Sequence, residues 1–139
     1  MSGVFFEDMT VGQTASFAKT VTEADILLFA AVSGDTNPVH INAEAAAQTM
    51  FKERIAHGML SASFISTVLG TRLPGPGTIY LAQNLKFRAP VKIGQTVTAT
   101  VEVTALDPAK KRATLKTTCT VGGSPVVEGE ATVMVPSRA

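Results

Sequence analysis

The second half of the chain alternates apolar and polar side chains with a period of two. The alternation runs through four segments, residues 79–88, 97–103, 113–119 and 127–135. Asp107-Pro108 and Gly122-Gly123 separate the last three segments, and such residue pairs favour tight turns. Successive alternating segments joined by short turns are typical of an antiparallel sheet that buries one face. The pattern therefore predicts a long antiparallel meander.

The first half of the chain has an early strand, at residues 13–21, followed by helical periodicity. Thr22 is placed to cap a first helix, and Gly34 is placed to end it. A short Ala-rich helix is expected at residues 43–50. Residues 58–73 form a further helix that is apolar nearly all round, so other structure must enclose it. A sheet curled around that central helix would enclose the apolar helix and bury one face of each strand. The sequence therefore predicts an α+β fold.

Length, composition and charge indicate how many domains the chain forms and which macromolecules it can bind. The 139 residues suit one domain spanning residues 1–139. The apolar fraction is 45% but the charged fraction is only 17%. A surface so poor in charge suggests that a partner covers part of it, most simply a second copy in a homodimer. The formal net charge of +1 gives no electrostatic case for binding nucleic acid.

The chain carries no pattern that indicates export or a membrane span. Its one cysteine, Cys119, cannot form an internal disulfide, which fits a reducing compartment. The first residues do not combine a basic region with a long apolar run, as a signal peptide does. The longest weakly charged stretch, residues 55–71, is short and too polar for a membrane span. We therefore expect a cytoplasmic protein.

The candidate chemistry begins in the segment Ser33–His40, directly after the first helix. Asp35 and His40 stand five residues apart, and Pro38 stiffens the chain between them. Asn37 can close an Asx turn and fix the segment further. A carboxylate and an imidazole held close together can share a water as general acid and base. The same residues also suit an ordinary turn with a partly buried histidine, and spacing alone does not separate the two readings.

Gly58 stands where the central helix is predicted to begin, directly after His57. The first N–H groups of a helix have no partner within it and lie at the positive end of the helix dipole. They can stabilise a negatively charged oxygen, and a glycine lets a ligand approach the backbone closely. Gly58 is therefore a candidate oxyanion hole, although a glycine also suits a tight helix entry. His57 is interpreted as a loop histidine.

Asp35, His40 and His57 could in principle form a metal triad. The chain has no helical His pair at ligand spacing and no cysteine cluster, so we expect no metal. The sequence also lacks a Gly-rich phosphate loop, a serine nucleophile elbow and a redox cysteine pair. The Asp35–His40 pair remains the main candidate for catalysis.

Three separated motifs occur along the chain in a fixed order: Ser33-Gly34-Asp35 with Asn37-Pro38 and His40, then His57-Gly58-Met59-Leu60, then Leu85, Phe87, Pro90-Val91 and Gly94. Together they resemble the MaoC-like, (R)-specific enoyl-CoA hydratase family. The resemblance covers essentially the whole chain and is closest to the short, single-domain hydratases that supply polyhydroxyalkanoate monomers. It implies a hot-dog fold, in which a curved antiparallel sheet wraps one long helix, and a homodimer whose sheets join edge to edge.

The resemblance also implies a cofactor-free mechanism. Asp35 and His40 would hold a water that attacks C3 of a trans-2-enoyl-CoA, with Asp35 as base and His40 orienting the water. The Gly58 N–H would stabilise the enolate oxygen, and the product would be an (R)-3-hydroxyacyl-CoA. Ser66, Leu69 and Asn37 are predicted to contact the substrate, the first two near the acyl chain.

Two other functions on the same scaffold remain open from the sequence. A hot-dog thioesterase would hydrolyse the same ligand, but many of these enzymes carry a carboxylate on the central helix. Residues 58–71 contain no Asp or Glu, which disfavours hydrolysis. A non-catalytic acyl-thioester binding subunit is the second alternative, and an intact Asp35–His40 pair disfavours it.

Overall fold

The computed structural model describes residues 3–138. Within them, a 3-10 turn at Phe6–Asp8 precedes four α-helices and five β-strands. The helices are α1 (Glu23–Ser33), α2 (Pro38–Ile41), α3 (Ala43–Ala47) and α4 (Gly58–Thr71). The strands are β1 (Thr14–Thr20), β2 (Ile79–Phe87), β3 (Thr96–Asp107), β4 (Arg112–Val121) and β5 (Ser124–Met134).

The five strands form one antiparallel sheet in the order β1-β3-β4-β5-β2. β3, β4 and β5 follow one another through tight turns, as the period-two pattern predicts. β1 and β2 form the two edges. α4 packs across one face of this sheet and contacts all five strands. The predicted arrangement, a sheet around one central helix, is therefore what the chain adopts.

The core lies between α4 and the alternating positions of the central strands. Val97, Val101 and Val103 of β3 and Leu115 of β4 are fully buried. On α4, the buried face includes Ile65, which has no exposed surface. Full burial of each such side chain contributes about 1.5–3 kcal/mol, so the core holds α4 against the sheet.

Local capping confirms the predicted limits of α1. Thr22 Oγ1 accepts from the Asp25 N–H at 3.2 Å, and Asp25 Oδ2 accepts from the Thr22 N–H at 2.9 Å. These two bonds form a capping box. At the other end, Gly34 has φ 79°, a left-handed conformation that glycine adopts without strain. The residues at which α1 begins and ends are therefore set by local sequence.

Helix limits differ from the sequence prediction in three places. α3 ends at Ala47 and α4 at Thr71, each shorter than predicted. The segment Ser33–His40 is predicted as a turn, but its last residues belong to the short helix α2, Pro38–Ile41. Asn37 caps this helix, and Pro38 occupies its first turn, where a missing N–H costs nothing. His40 is consequently held on a helix.

β2 has the predicted alternation but not the predicted burial. Ile79 and Phe87 are each 54% exposed and Leu81 is 41% exposed, whereas only Gln83 and Leu85 are half-buried. The prediction of one buried face is wrong for this strand. β2 is an edge strand, and within residues 3–138 its packing against α4 leaves most of its apolar side chains exposed.

Among the described residues, no helix has both the length and the apolar character needed to cross a membrane.

Candidate active site

Short hydrogen bonds between side chains and backbone shape the segment after α1. Ser33 Oγ accepts from the Asp35 N–H at 3.1 Å. Asp35 Oδ1 accepts from the Asn37 N–H, and Asn37 Oδ1 accepts from the Val39 N–H, each at 3.2 Å. These bonds are local, so the segment folds by its own sequence. They use only one oxygen of the Asp35 carboxylate, whose side chain is 51% exposed.

His40 is buried and presents one free ring nitrogen to Asp35. Its Nδ1 lies 2.8 Å from the backbone carbonyl oxygen of Ile55. A carbonyl only accepts, so Nδ1 carries the proton in this bond and Nε2 of the neutral ring keeps its lone pair. Nε2 lies 4.0 Å from Asp35 Oδ2. Asp35 Oδ2 and His40 Nε2 are thus two hydrogen-bond acceptors that lie opposite each other.

The separation of these two acceptors suits one bridging water. A water that donates both of its protons over about 2.8 Å spans two acceptors roughly 4.4 Å apart. The observed 4.0 Å between Asp35 Oδ2 and His40 Nε2 is close to that value. The pair can therefore bind and deprotonate a water, as the sequence predicts.

Arg54 ties the helix that carries His40 to α1. Its Nε donates to the His40 carbonyl oxygen at 2.7 Å, and its guanidinium pairs with Glu23 at 2.5 Å. Glu23 lies in the first turn of α1, so one side chain connects two helices beside the site. This link fixes the backbone of His40 independently of its ring.

His57 lies against both members of the pair. It is only 2% exposed. Its ring stacks on the His40 ring, with centroids 3.8 Å apart and planes at 27°. Its Nε2 donates to the Asp35 carbonyl oxygen at 2.8 Å. The sequence interpretation of His57 as a loop histidine misses all of these contacts.

The first turn of α4 leaves a backbone donor open. His57 is the N-cap residue, but its side chain makes no capping hydrogen bond. Across residues 3–138, the Gly58 N–H has no protein acceptor. A Cβ atom at this position would lie 2.7 Å from two carbons of the Phe87 ring. Glycine therefore allows Phe87 to pack against the helix start and keeps the N–H accessible.

Asp35, His40, His57 and Gly58 line one cavity of about 530 Å³. This volume lies within the roughly 300–1,000 Å³ typical of small-molecule sites. The Ser61 hydroxyl also belongs to this cavity and has no protein partner within the described residues. Most of the remaining wall is apolar, and it includes Met50, Phe51, Ile55, Met59, Phe87 and Val127.

Ser66 and Leu69, the two residues predicted to lie near the acyl chain, do not line the cavity that contains Asp35 and His40. Ser66 lines a second cavity of about 430 Å³, together with Tyr80 and Gln83. Met59 lines both cavities and so stands between them. Leu69 is 1% exposed and packs in the core, lining neither cavity. A role of Ser66 and Leu69 in acyl binding stays a prediction, as does substrate contact by Asn37, whose side chain caps α2.

Two titratable groups near these cavities are protonated at neutral pH. Burial raises the pKa of the Cys119 thiol to about 12, and its Sγ donates to the Ser61 carbonyl oxygen at 3.3 Å. This thiol is therefore no nucleophile. Burial also raises the pKa of Tyr80, whose hydroxyl donates to Gln83 Oε1. Neither group replaces the Asp35–His40 pair.

Asp35, His40 and His57 each offer one ligand atom, and these atoms lie within 4.8 Å of one another. A metal needs lone pairs that converge on one point, at about 2.0–2.1 Å for a zinc–imidazole bond. The two imidazoles stack at 27°, so their in-plane lone pairs run side by side. The arrangement suits hydrogen bonding better than metal binding, and the absence of a metal stays a prediction.

The chain has close relatives among known proteins. Residues 7–124 match the MaoC-like domain family. An (R)-specific enoyl-CoA hydratase from Rhodospirillum rubrum is 67% identical over 134 residues, which are 96% of this chain and 93% of that protein. A 3-hydroxybutyryl-CoA dehydratase from Methylorubrum extorquens is 50% identical over 97% of this chain and 86% of its own length.

Solved structures superpose closely on the chain. The R-hydratase of Pseudomonas aeruginosa, in its unliganded form, gives a TM-score of 0.93 with 48% identity over 98% of this chain and 88% of its own. An (R)-hydratase from A. caviae, involved in PHA biosynthesis, gives 0.91 with 48% identity over 94% and 99%. The predicted hot-dog fold is thereby confirmed.

Proposed function

This chain belongs to the MaoC-like domain family, and we propose that it is an (R)-specific enoyl-CoA hydratase. The enzyme adds water to a trans-2-enoyl-CoA to give an (R)-3-hydroxyacyl-CoA. The family prediction is confirmed, and the names hydratase and dehydratase describe one reaction in its two directions. One observation carries the mechanism: Asp35 Oδ2 and His40 Nε2 lie 4.0 Å apart on the wall of a largely apolar cavity.

In the proposed mechanism, one water lies between Asp35 Oδ2 and His40 Nε2 and donates a hydrogen bond to each. Asp35 takes one proton as the water oxygen forms a bond to C3. His40 accepts the other hydrogen bond and so directs the oxygen lone pair at C3. The electron pair of the C2–C3 double bond moves toward the thioester oxygen. The Asp35–His40 pair of side chains then returns a proton to C2, so the enzyme ends in its starting state.

Gly58 is proposed to stabilise the developing enolate. Its N–H has no protein acceptor in the described part of the chain, and it lies at the positive end of α4. It lines the same cavity as the Asp35–His40 pair. A thioester oxygen bound there would gain negative charge as C3 is attacked, and one such donor is worth about 10²–10³ in rate.

The proposed working unit is a homodimer in which the two sheets join edge to edge. β2 supports this proposal, because it is an edge strand with exposed Ile79, Leu81 and Phe87. A long apolar edge that stays open is a site of unwanted strand pairing, so a partner that covers it stabilises the chain. Residues 1–139 are proposed to act as one domain in the cytoplasm, which the free, buried Cys119 supports.

A hydration assay over a series of enoyl-CoA chain lengths tests the function. We expect loss of the conjugated thioester and formation of the (R)-3-hydroxyacyl product on a chiral column. Release of free thiol would identify a thioesterase instead. Binding of acyl-CoA without turnover would identify a non-catalytic subunit, and an (S) product would contradict the proposed geometry.

A further inference from the structure

We propose that His57 is a positioning residue for hydration. It ties the backbone of Asp35 to the ring of His40 and so holds the carboxylate and imidazole at the spacing that binds one water. This inference rests on the proposed function. It assigns His57 no contact with the reacting atoms.

The side chain at the start of α4 is used in an unusual way. An N-cap residue normally satisfies a free N–H of its own helix, and Ser, Thr, Asp and Asn do this best. His57 occupies the N-cap but forms no such bond. Its Nε2 instead donates across space to the Asp35 carbonyl oxygen at 2.8 Å. A departure from the local capping rule is typical of a functional site.

The bond from His57 is the long-range anchor of the segment that carries Asp35. Residues 34–37 otherwise bond only within the range 30–40, through neighbours such as Ser33 and His40. Within residues 3–138, His57 Nε2 is the only hydrogen-bond donor to residues 34–37 that comes from outside the range 30–40. Loss of this donor would leave the half-exposed Asp35 fixed by its own turn alone.

The same ring fixes His40 from its face. The Ile55 carbonyl holds the edge of the His40 ring at Nδ1, at 2.8 Å. His57 covers one face of that ring, with centroids 3.8 Å apart. Phe29 packs on His57 in turn, at 4.9 Å between centroids. An imidazole held at one edge and one face keeps Nε2 directed at Asp35.

His57 is poorly suited to relay protons. Its Nε2 proton is directed at the backbone carbonyl oxygen of Asp35, which accepts a hydrogen bond but does not take up the proton. The one directed contact of the ring is the donation to Asp35. The geometry therefore supports positioning and not proton transfer.

Two variants separate the roles of His57. His57→Phe keeps a stacked ring but removes the donor, whereas His57→Gln loses the stack but carries an amide N–H₂ that can reach the same carbonyl. We expect kcat for crotonyl-CoA to fall about 10²-fold in the Phe variant, the typical cost of a small misplacement of catalytic groups. KM should change little, and the Gln variant should recover only part of the lost kcat, because it restores the donor to Asp35 but not the stack on His40.

Hydrogen exchange supplies a readout that does not depend on turnover. The Asn37 N–H bonds to the Asp35 carboxylate, so its protection reports on the order of this turn. We expect faster exchange at residues 34–37 in the Phe variant and near wild-type exchange in the Gln variant. Equal exchange in all three proteins would overturn the proposal.

Val103→Ala controls for general loss of stability, because Val103 is fully buried in the core and lines neither cavity. It should lower the Tm without a 10²-fold loss of kcat. The positioning role is overturned if the control loses as much kcat as the Phe variant, if the Phe variant keeps wild-type kcat, or if Phe and Gln are equally impaired. An inactive wild-type protein would refute the proposed function instead, and the exchange experiment would still test the anchor.

Discussion

The two ends of α4 belong to one apolar helix but differ in how their polar groups are satisfied. At the C-terminal end, the Val68 carbonyl accepts from both Arg72 and Leu73, each at 2.9 Å. The Leu69 carbonyl accepts from the Gly75 N–H at 2.9 Å. These bonds close the helix, as free terminal carbonyls require.

The N-terminal end of α4 is open by contrast. The Gly58 N–H, His57 Nδ1 and Ser61 Oγ have no protein partners within residues 3–138. A buried polar group that lacks a partner, such as the Ser61 hydroxyl, costs about 1–3 kcal/mol. The C-terminal end of α4 is thus closed by protein contacts, whereas the N-terminal end, where we propose that the thioester binds, lines the same cavity as the Asp35–His40 pair.

The largest effect should come from the pair opposite the open end. Asp35→Asn keeps an oxygen for the Asn37 N–H but removes the base, and we expect kcat/KM for crotonyl-CoA to fall about 10²–10⁴-fold. His40→Ala should cost a similar factor. The Tm of Asp35→Asn should stay near wild type, because the turn bonds remain. A near-normal rate in either purified variant would remove that residue from the mechanism.

The next largest effect should come from a change at the closed, C-terminal end of α4. Leu69→Ala removes a side chain that is 1% exposed, and we expect the free energy of unfolding to fall by about 2–5 kcal/mol. Urea denaturation measures this loss. A small stability loss with a clear shift in acyl chain-length preference would favour the sequence prediction that Leu69 lines the acyl pocket.

Gly58→Ala should disturb the open end through sterics. The new Cβ would lie 2.7 Å from the Phe87 ring, which lines the cavity, so the ring must move. We expect kcat/KM to fall about 10²-fold, as for other small misplacements at a reacting centre. Steady-state kinetics with a melting curve checks this, and unchanged kinetics would show that the helix start tolerates a side chain.

Gly70→Ala is the matched change near the closed end, and its effect should be the smallest. A Cβ there meets no atom within 4 Å. Alanine is favoured over glycine inside a helix by roughly 0.5–1 kcal/mol, so stability should rise by that amount in urea titrations. A loss of stability would show that Gly70 has a close neighbour that the described contacts do not include.

The sequence predicts the limits of α1, the enclosed helix α4 and the Asp35–His40 turn well, because each follows from a pattern of residues close together in the chain. Thr22 and Gly34 limit α1 through capping, and the all-apolar pattern identifies α4 as the enclosed helix. The spacing of Asp35 and His40 is local too, since the turn that joins them bonds within itself.

The remaining features depend on contacts between distant segments. β2 alternates like β3, but its place at the edge of the sheet leaves it exposed, and edge position is not encoded in the pattern. The partners of His57 lie 17 and 22 residues earlier in the chain, and only the packing of α4 brings them together. The one sequence signal near this contact is the histidine directly before Gly58, at a position where a capping side chain is expected.

The most direct test of an open, binding end of α4 is the carbonyl stretching band of a bound enoyl thioester. The Asp35→Asn variant should hold crotonyl-CoA without rapid turnover, so the spectrum can be recorded by difference infrared spectroscopy with a ¹³C-labelled carbonyl. If the Gly58 N–H and the helix dipole polarise the thioester, the band moves to lower frequency than in free aqueous substrate. A band at the frequency of free substrate, at saturating protein, would contradict the account.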